Sequence, residues 1–307
     1  MLDPEHKLKP AGTSTQEESV SALLSLFERF GKVTVLSGAG CSTASGIPDY
    51  RDDGGNWKHR RPVQLAEFLS SAATRRRYWA QSFAGWSRIA NAKPNDAHLA
   101  LAALERLQKV GCVITQNVDN LHRRAGSLNV IDLHGLLHQV RCLGCGVIVG
   151  RDQFQQQLAE DNPDWSATVA GFAPDGDARL VAGEFRDFRI PECESCGGTW
   201  KPDVVFFGEG VPAERVERAT GSVQECDALL IVGSSLMVLS GLRFARMANA
   251  LGKAVIIINR GTTRADDLAT AKLTDDCGAL LSSLVDRLTK EQNGDARQGN
   301  GRLDGSV

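Results

Sequence analysis

The spacing of apolar residues along the chain switches between a helical period and short continuous runs, and the switches predict an alternating set of helices and strands. From Thr15 to Phe30, the residues Val20, Leu23, Leu24, Phe27 and Phe30 recur at helical spacing, and Gly31 follows as a stop. Val33–Leu36 is a β-branched and apolar run that reads as a buried strand, broken at Gly38 and Gly40. From Pro62 to Lys109 the pattern is helical again, interrupted at Lys93-Pro94-Asn95, and its aromatics Phe68, Tyr78, Trp79, Phe83 and Trp86 fit a core better than a cofactor box. Further strands are predicted at Cys112–Thr115, Val130–Leu133, Ala228–Val232 and Ala254–Ile258. Such near-continuous apolar runs suit parallel strands covered on both faces. Each ends in small or polar residues, and residues just past strand ends line the ligand crevice of an open α/β sheet. From Glu291 onward Gly, Asn, Asp and Arg dominate without periodicity, which predicts a disordered tail.

Composition narrows the classes. Lys and Arg total 35 against 37 Asp and Glu, so there is no electrostatic case for nucleic-acid binding. No apolar run approaches the roughly 18 residues of a membrane span. Met1–Gln16 is polar, lacks an apolar segment, and carries acids with little arginine, so neither a secretory nor a mitochondrial address is read there. A cytoplasmic protein is expected.

Eight cysteines stand at positions 41, 112, 142, 145, 193, 196, 226 and 277. The scattered ones read as small core residues of a reducing compartment. The pairs Cys142-x-x-Cys145 and Cys193-x-x-Cys196, each followed by glycine, suit one tetrahedral Zn²⁺ with no open position, a structural metal. A redox C-x-x-C is the weaker rival. The long spacer between the pairs predicts an excursion away from the metal, with turns at Asp161–Trp165 and Ala173–Asp177.

The first strand stops at a glycine turn. Gly38 and Gly40 allow close backbone approach, and exposed N–H groups there would suit a phosphate. The dinucleotide fingerprint wants a third glycine where Thr43 stands, so a turn without a ligand remains open on this stretch alone. Behind it, Gly46–Gly55 reads as a mobile loop beside a ligand. Gln116-Asn117-Val118-Asp119-Asn120-Leu121-His122 clusters past the second strand, and His134-Gly135 follows the third.

Gly38-Ala39-Gly40-Cys41-Ser42 with Ser45-Gly46-Ile47-Pro48-Asp49-Tyr50-Arg51, Thr115–Asp119 with Leu121-His122, His134-Gly135, the cysteine pairs, Lys201–Glu209 and Gly233-Ser234-Ser235-Leu236 resemble the sirtuins in consistent order over Ser21–Thr289. The long spacer, Ala173–Asp177 and Arg77-Tyr78-Trp79-Ala80 look like class II sirtuins, the branch with the animal mitochondrial lipoamidase-type sirtuin, and a bacterial relative is the simpler reading. The resemblance implies an α/β fold: a Rossmann-like parallel-sheet domain from residues 15–136 and 202–290, with a helical insertion around 55–95. A zinc-binding module, 137–201, is inserted in it, and 1–14 and 291–307 are flexible tails.

The resemblance also implies an NAD-dependent protein-lysine deacylase that consumes NAD as a co-substrate, passes the acyl group to ADP-ribose and releases nicotinamide. A ribose hydroxyl must then lose a proton, and His134 is the implied base. His122 more plausibly orders its loop. Gln116, Asn117, Val118 and Asp119 would hold the nicotinamide ribose and carboxamide, with Asn117 counted among the catalytic pair. Gly38, Ala39, Gly40, Ser45, Asp49, Tyr50, Arg51 and Trp57 would surround the diphosphate and nicotinamide side, Tyr50 standing where many sirtuins carry Phe. Gly233, Ser234 and Ser235 would meet phosphate and ribose, and Asn259, Arg260, Gly261 and Cys277 the adenosine. The implied partner is an acylated lysine on an extended peptide lying between Val205–Glu209 and Met237–Ser240. Sirtuins preferring dicarboxylic acyl groups share Tyr-x-x-Arg, whereas Tyr78 is followed here by Gln81, which predicts weak desuccinylation. The rival readings are protein mono-ADP-ribosylation and a non-catalytic NAD-sensing, zinc-braced module. Oligomeric state is not readable.

Overall fold

Thr15 starts the first helix through a capping box: its hydroxyl accepts the Glu18 N–H at 3.3 Å, and the Glu18 carboxylate accepts the Thr15 N–H at 2.7 Å. The computed structural model describes residues 15–58, 62–173, 176–181, 183 and 185–300, so the expected tail 1–14 and the last seven residues of the expected tail 291–307 lie outside the described residues. The chain runs through α1 (Gln16–Arg29), β1 (Val33–Ser37), a 3-10 turn (Ala39–Ser45), α2 (Leu65–Ser70), α3 (Ala72–Asn91), α4 (Asp96–Arg106), β2 (Val110–Thr115), α5 (Leu121–Arg124) and β3 (Val130–Asp132). There follow β4 (Gly135–Cys142), β5 (Ile148–Gly150), α6 (Arg151–Asp161), β6 (Val169–Phe172), β7 (Ala178–Leu180) and β8 (Trp200–Val204). The chain then returns through α7 (Ala213–Glu225), β9 (Ala228–Val232), α8 (Leu239–Ala250), β10 (Ala254–Ile258), β11 (Ala271–Leu273) and α9 (Cys277–Asn300).

Six parallel strands form the main sheet in the order β11-β10-β9-β1-β2-β3. The order reverses between β1 and β9, the switch point where open α/β sheets bind ligands beyond the strands' carboxyl ends. Alternate residues of each strand serve opposite faces. Val33, Val35, Leu230, Val232, Ile256 and Ile258 pack under α1, α4 and α9, while Leu36, Leu229, Ile231, Val255 and Ile257 pack with α7 and α8. Both faces are covered, which is why these strands read as unbroken apolar runs.

A third core joins Phe68, Tyr78, Trp79 and Trp86 from the helical insertion to Val140, Cys142, Phe154 and Trp200. The aromatics are therefore core residues, as their spacing predicts. β4, β5 and β8 make a separate antiparallel sheet, and β6 pairs with β7. The expected module boundaries at 137 and 201 fall inside β4 and β8, so the module grows from two shared strands.

One expectation is corrected. The chain past Glu291 does not leave the fold as an aperiodic tail at once, because α9 continues to Asn300. Leu280, Leu281, Leu284 and Leu288 anchor that helix in the core, and propagation from an anchored turn needs only tolerant residues such as Lys290, Gln292 and Ala296. Among the described residues, no helix is long and apolar enough to cross a membrane.

Candidate functional site

The ends of β1 and β9 are locked together by glycines. The Gly38 N–H donates to the Val232 carbonyl at 3.0 Å and the Gly40 N–H to the Gly233 carbonyl at 2.8 Å. A Cβ on Gly233, whose φ is +59°, would lie 2.3 Å from the Cys41 nitrogen, and one on Gly38 would lie 2.7 Å from the Ser234 Cβ. No side chain fits between the turns. They open onto a cleft of about 770 Å³ over the switch point.

That cleft gathers the sequence-predicted cofactor residues: Gly38, Ala39, Gly40, Asp49, Tyr50, Arg51, Trp57, Gln116, Asn117, Val118, Asp119, Gly233, Ser234, Ser235, Asn259, Arg260, Gly261 and Cys277 all line it, as does His134. Ser45 does not. Its hydroxyl accepts the Asn95 side-chain N–H at 2.9 Å instead. The segment read as a mobile loop folds on itself: Arg51 stacks 4.1 Å over the Trp57 ring and donates to the Gly55 carbonyl at 2.7 Å, while Lys58 pairs with Asp49 at 2.7 Å. It also touches the loop after β10, where the Thr262 N–H donates to the Asp53 carbonyl at 2.8 Å.

The polar cluster after β2 is wired to these turns. Gln116 Nε2 donates to Ser234 Oγ at 2.7 Å, and Asn117 Nδ2 donates to the Gly38 carbonyl and to Ser42 Oγ, both at 3.0 Å. Ser42 in turn donates to Asp119 at 2.7 Å, and the Leu121 N–H donates to the other carboxylate oxygen at 2.9 Å. Burial raises the Asp119 pKa, and those two donors oppose the shift.

His134 sits at the mouth of β4, half-buried. Its Nδ1 lies 3.0 Å from the Gln116 carbonyl, which can only accept, so Nδ1 carries the proton. The other nitrogen, Nε2, therefore offers a lone pair and accepts the Ser240 hydroxyl at 2.8 Å. Burial holds the imidazole pKa below its usual value; the Gln116 bond opposes this and the Arg215 cation adds to it. The result is a neutral imidazole facing the cleft.

His122 lies deeper, with Nε2 2.8 Å from Ser37 Oγ and Nδ1 without a hydrogen-bond partner. Its ring packs 4.8 Å from that of His98, which lies 3.4 Å from Ser42 Oγ. Sequence reading missed Ser37, Ser42, His98 and Arg215 as supports. Ser42 stood inside a motif, whereas His98 is a lone histidine among alanines and leucines and carried no signal.

The four paired cysteines converge at the far end of β4 and β8. Their sulfurs lie within 4.8 Å of one another, with Cys142–Cys196 at 3.5 Å and Cys145–Cys193 at 3.8 Å. Tetrahedral Zn–S bonds of about 2.3 Å place sulfurs about 3.8 Å apart, so the set fits zinc. Gly144 and Gly198 leave room for the sulfurs: a Cβ on Gly198 would stand 2.7 Å from the Cys142 sulfur. With all four positions taken by thiolates, such a metal is structural. Chelation is expected to unfold the chain between β4 and β8 and abolish turnover, followed by circular dichroism and activity, with both restored by Zn²⁺. Full activity in protein shown metal-free by mass spectrometry would refute this.

Residues 38–240 match the model of the Sir2 family. The chain belongs to the Sir2 family. This sirtuin is 53% identical over 257 residues to NAD-dependent protein deacetylase 2 of Bradyrhizobium diazoefficiens, covering 84% of this chain and 94% of that one. It is 52% identical over 263 residues to an NAD-dependent protein deacetylase of Xanthomonas campestris pv. campestris, covering 86% and 90%. Among solved structures, a Sir2 with p53 peptide and NAD⁺ superposes on the sirtuin with a TM-score of 0.70 at 28% identity, covering 89% of this chain and 98% of that one.

Proposed function

We propose that this sirtuin removes acyl groups from protein lysines at the expense of NAD⁺, with His134 as the general base. Acyl-lysine, NAD⁺ and water give free lysine, nicotinamide and O-acyl-ADP-ribose. The observation that carries the reading is the His134 tautomer: Nδ1–H is fixed on the Gln116 carbonyl, and the unprotonated Nε2, which accepts the Ser240 hydroxyl, faces the cleft where it could take a ribose hydroxyl proton. Gln116, Asn117 and Asp119 would orient the nicotinamide ribose and carboxamide. The remaining cleft residues would hold the diphosphate and adenosine at the switch point, where the glycine turns present backbone rather than side chains.

The substrate peptide would enter as an extended strand between Val205–Glu209 and Met237–Ser240, all of which but Leu239 line the cleft. One wall there is built by Val63, Tyr78, Ile89, Val118, Leu137 and Phe206, members of the aromatic core. This wall suits an apolar acyl chain, and a dicarboxylic one would find no guanidinium at Gln81.

The test is mass spectrometry on a panel of acyl-lysine peptides, with and without NAD⁺. Deacylated peptide and O-acyl-ADP-ribose should form only with NAD⁺, with acetyl and longer apolar chains turned over at least ~10-fold faster than succinyl, the value of about 1.4 kcal/mol. Succinyl turnover exceeding acetyl would overturn the acyl reading. NAD⁺ cleavage with no peptide turnover would overturn deacylation itself.

A further inference from the structure

A buried cation lies directly behind the peptide edge, and none of the chemistry described so far uses it. Lys201 in β8 is only 5% exposed. Its ammonium spends its three donors locally: the Val204 carbonyl at 2.5 Å, the Pro202 carbonyl at 3.3 Å and Glu209 Oε2 at 3.2 Å. The same ammonium stands 4.7 Å from the centre of the Phe206 ring. Glu209 completes the clasp by accepting the Phe206 N–H at 2.8 Å. Beside it, the Val205 N–H donates to the His134 carbonyl at 2.8 Å.

Burying a paired charge gains little stability over an apolar side chain of similar volume, because desolvation offsets the attraction. A methionine would fill this space. The ammonium does what methionine cannot: it draws two carbonyls at the end of β8 and the Glu209 carboxylate from beyond the strand onto a single point. That fixes which backbone groups of Val204–Glu209 turn inward and which are left facing the cleft.

We infer that Lys201 is a positioning residue, setting the backbone of Val204–Glu209 as the edge that pairs with the substrate peptide and holding that edge where its Val205 N–H meets the His134 carbonyl. This rests on the strand-pairing reading of the peptide site. Lys201 touches no substrate; it acts through the turn it clasps. Its effect should therefore fall on peptide binding and not on NAD⁺ binding.

Steady-state kinetics of zinc-loaded Lys201→Met, Lys201→Arg and Glu209→Gln, with acetyl-lysine peptide and NAD⁺ varied separately, tests this. Lys201→Met should raise the peptide KM about tenfold or more while the KM for NAD⁺ stays within about twofold; Glu209→Gln should do the same, and the double variant should be no worse than the worse single. Lys201→Arg, which keeps the charge, should recover part of the loss. Backbone N-methylation of the peptide at the pairing positions should weaken binding to wild type more than to Lys201→Met. Should Lys201→Met fail to fold, Glu209→Gln carries the test. A rise in both KM values together, or no change in the peptide KM, overturns the assignment. If wild type itself tolerates every N-methylation, the strand-pairing reading fails and the assignment with it. If N-methylation hurts wild type but neither variant changes the peptide KM, Lys201 alone falls.

Discussion

His134→Ala should lower deacylation by roughly 10²- to 10⁴-fold, the usual contribution of a positioned general base, with NAD⁺ affinity changed far less. The asymmetry follows from the site. His134 is bound to the Gln116 carbonyl and Ser240, while the residues around the glycine turns are held by Ser42, Ser234 and Gly38. In wild type the base must be neutral, and its pKa is held below the ordinary 6.5 by burial. Activity should therefore rise with pH along a limb centred below 6.5 and be flat across neutrality. Turnover against pH, with NAD⁺ binding by calorimetry, checks both parts. A limb centred above 7, or a variant within tenfold of wild type, would remove His134 from the assignment.

Acid should unfold this protein earlier than its overall composition suggests. Burial pushes the pKa of His122 down to about 3 and that of His98 to about 4, with His98 adding to the shift on His122. In the unfolded chain both would take a proton near pH 6.5. The stabilising effect of keeping them neutral is complete above 6.5 and is lost as pH falls toward those depressed values. The slope is about 1.4 kcal/mol per pH unit for each histidine. By pH 4.5 the two together remove on the order of 5 kcal/mol, comparable to the whole stability of a marginal domain. Urea midpoints of zinc-loaded wild type and His122→Asn at pH 7.5, 6 and 5 test the idea. The variant is less stable at neutral pH, and the slope is what matters: it should be shallower by about one proton. Equal slopes would show that other groups, including the zinc thiolates, govern acid sensitivity.

Much of this was legible in the sequence because it is local. Strand runs buried on both faces, and knuckles of the form C-x-x-C-G, announce themselves over a handful of residues. β9 and β10 have the predicted bounds, and His134 stands at the strand end where it was expected. What could not be read was mutual. The glycines at 38 and 40 looked like a cradle for phosphate, yet what excludes a Cβ at either is Gly233 and Ser234, nearly two hundred residues away. β11 is three residues long and escapes any periodicity test. β4 alternates only in two pieces, Gly135 and Leu137 buried in the first and Val140 and Cys142 in the second, with a register shift between Leu136 and Val140, and its partner β8 lies beyond the whole excursion. His98 acquires a purpose only when His122 and Ser42 arrive beside it.

β4 begins next to His134, the proposed base, and ends on Cys142 of the four-cysteine cluster, and β8 runs back from the cysteines to the proposed peptide edge. The pair is a beam clamped at one end and working at the other, its eight-residue strand spanning about 25 Å. The segment between Cys145 and Cys193 departs from the clamped end but returns over α3, where β7 packs and a Cβ on Gly176 would meet Ile89, a residue of the cleft wall. The beam and that segment therefore reach the cleft by two routes, one through β4 and β8 and one through the aromatic core, so a change in the segment is felt at the cleft wall as well as at the cysteines.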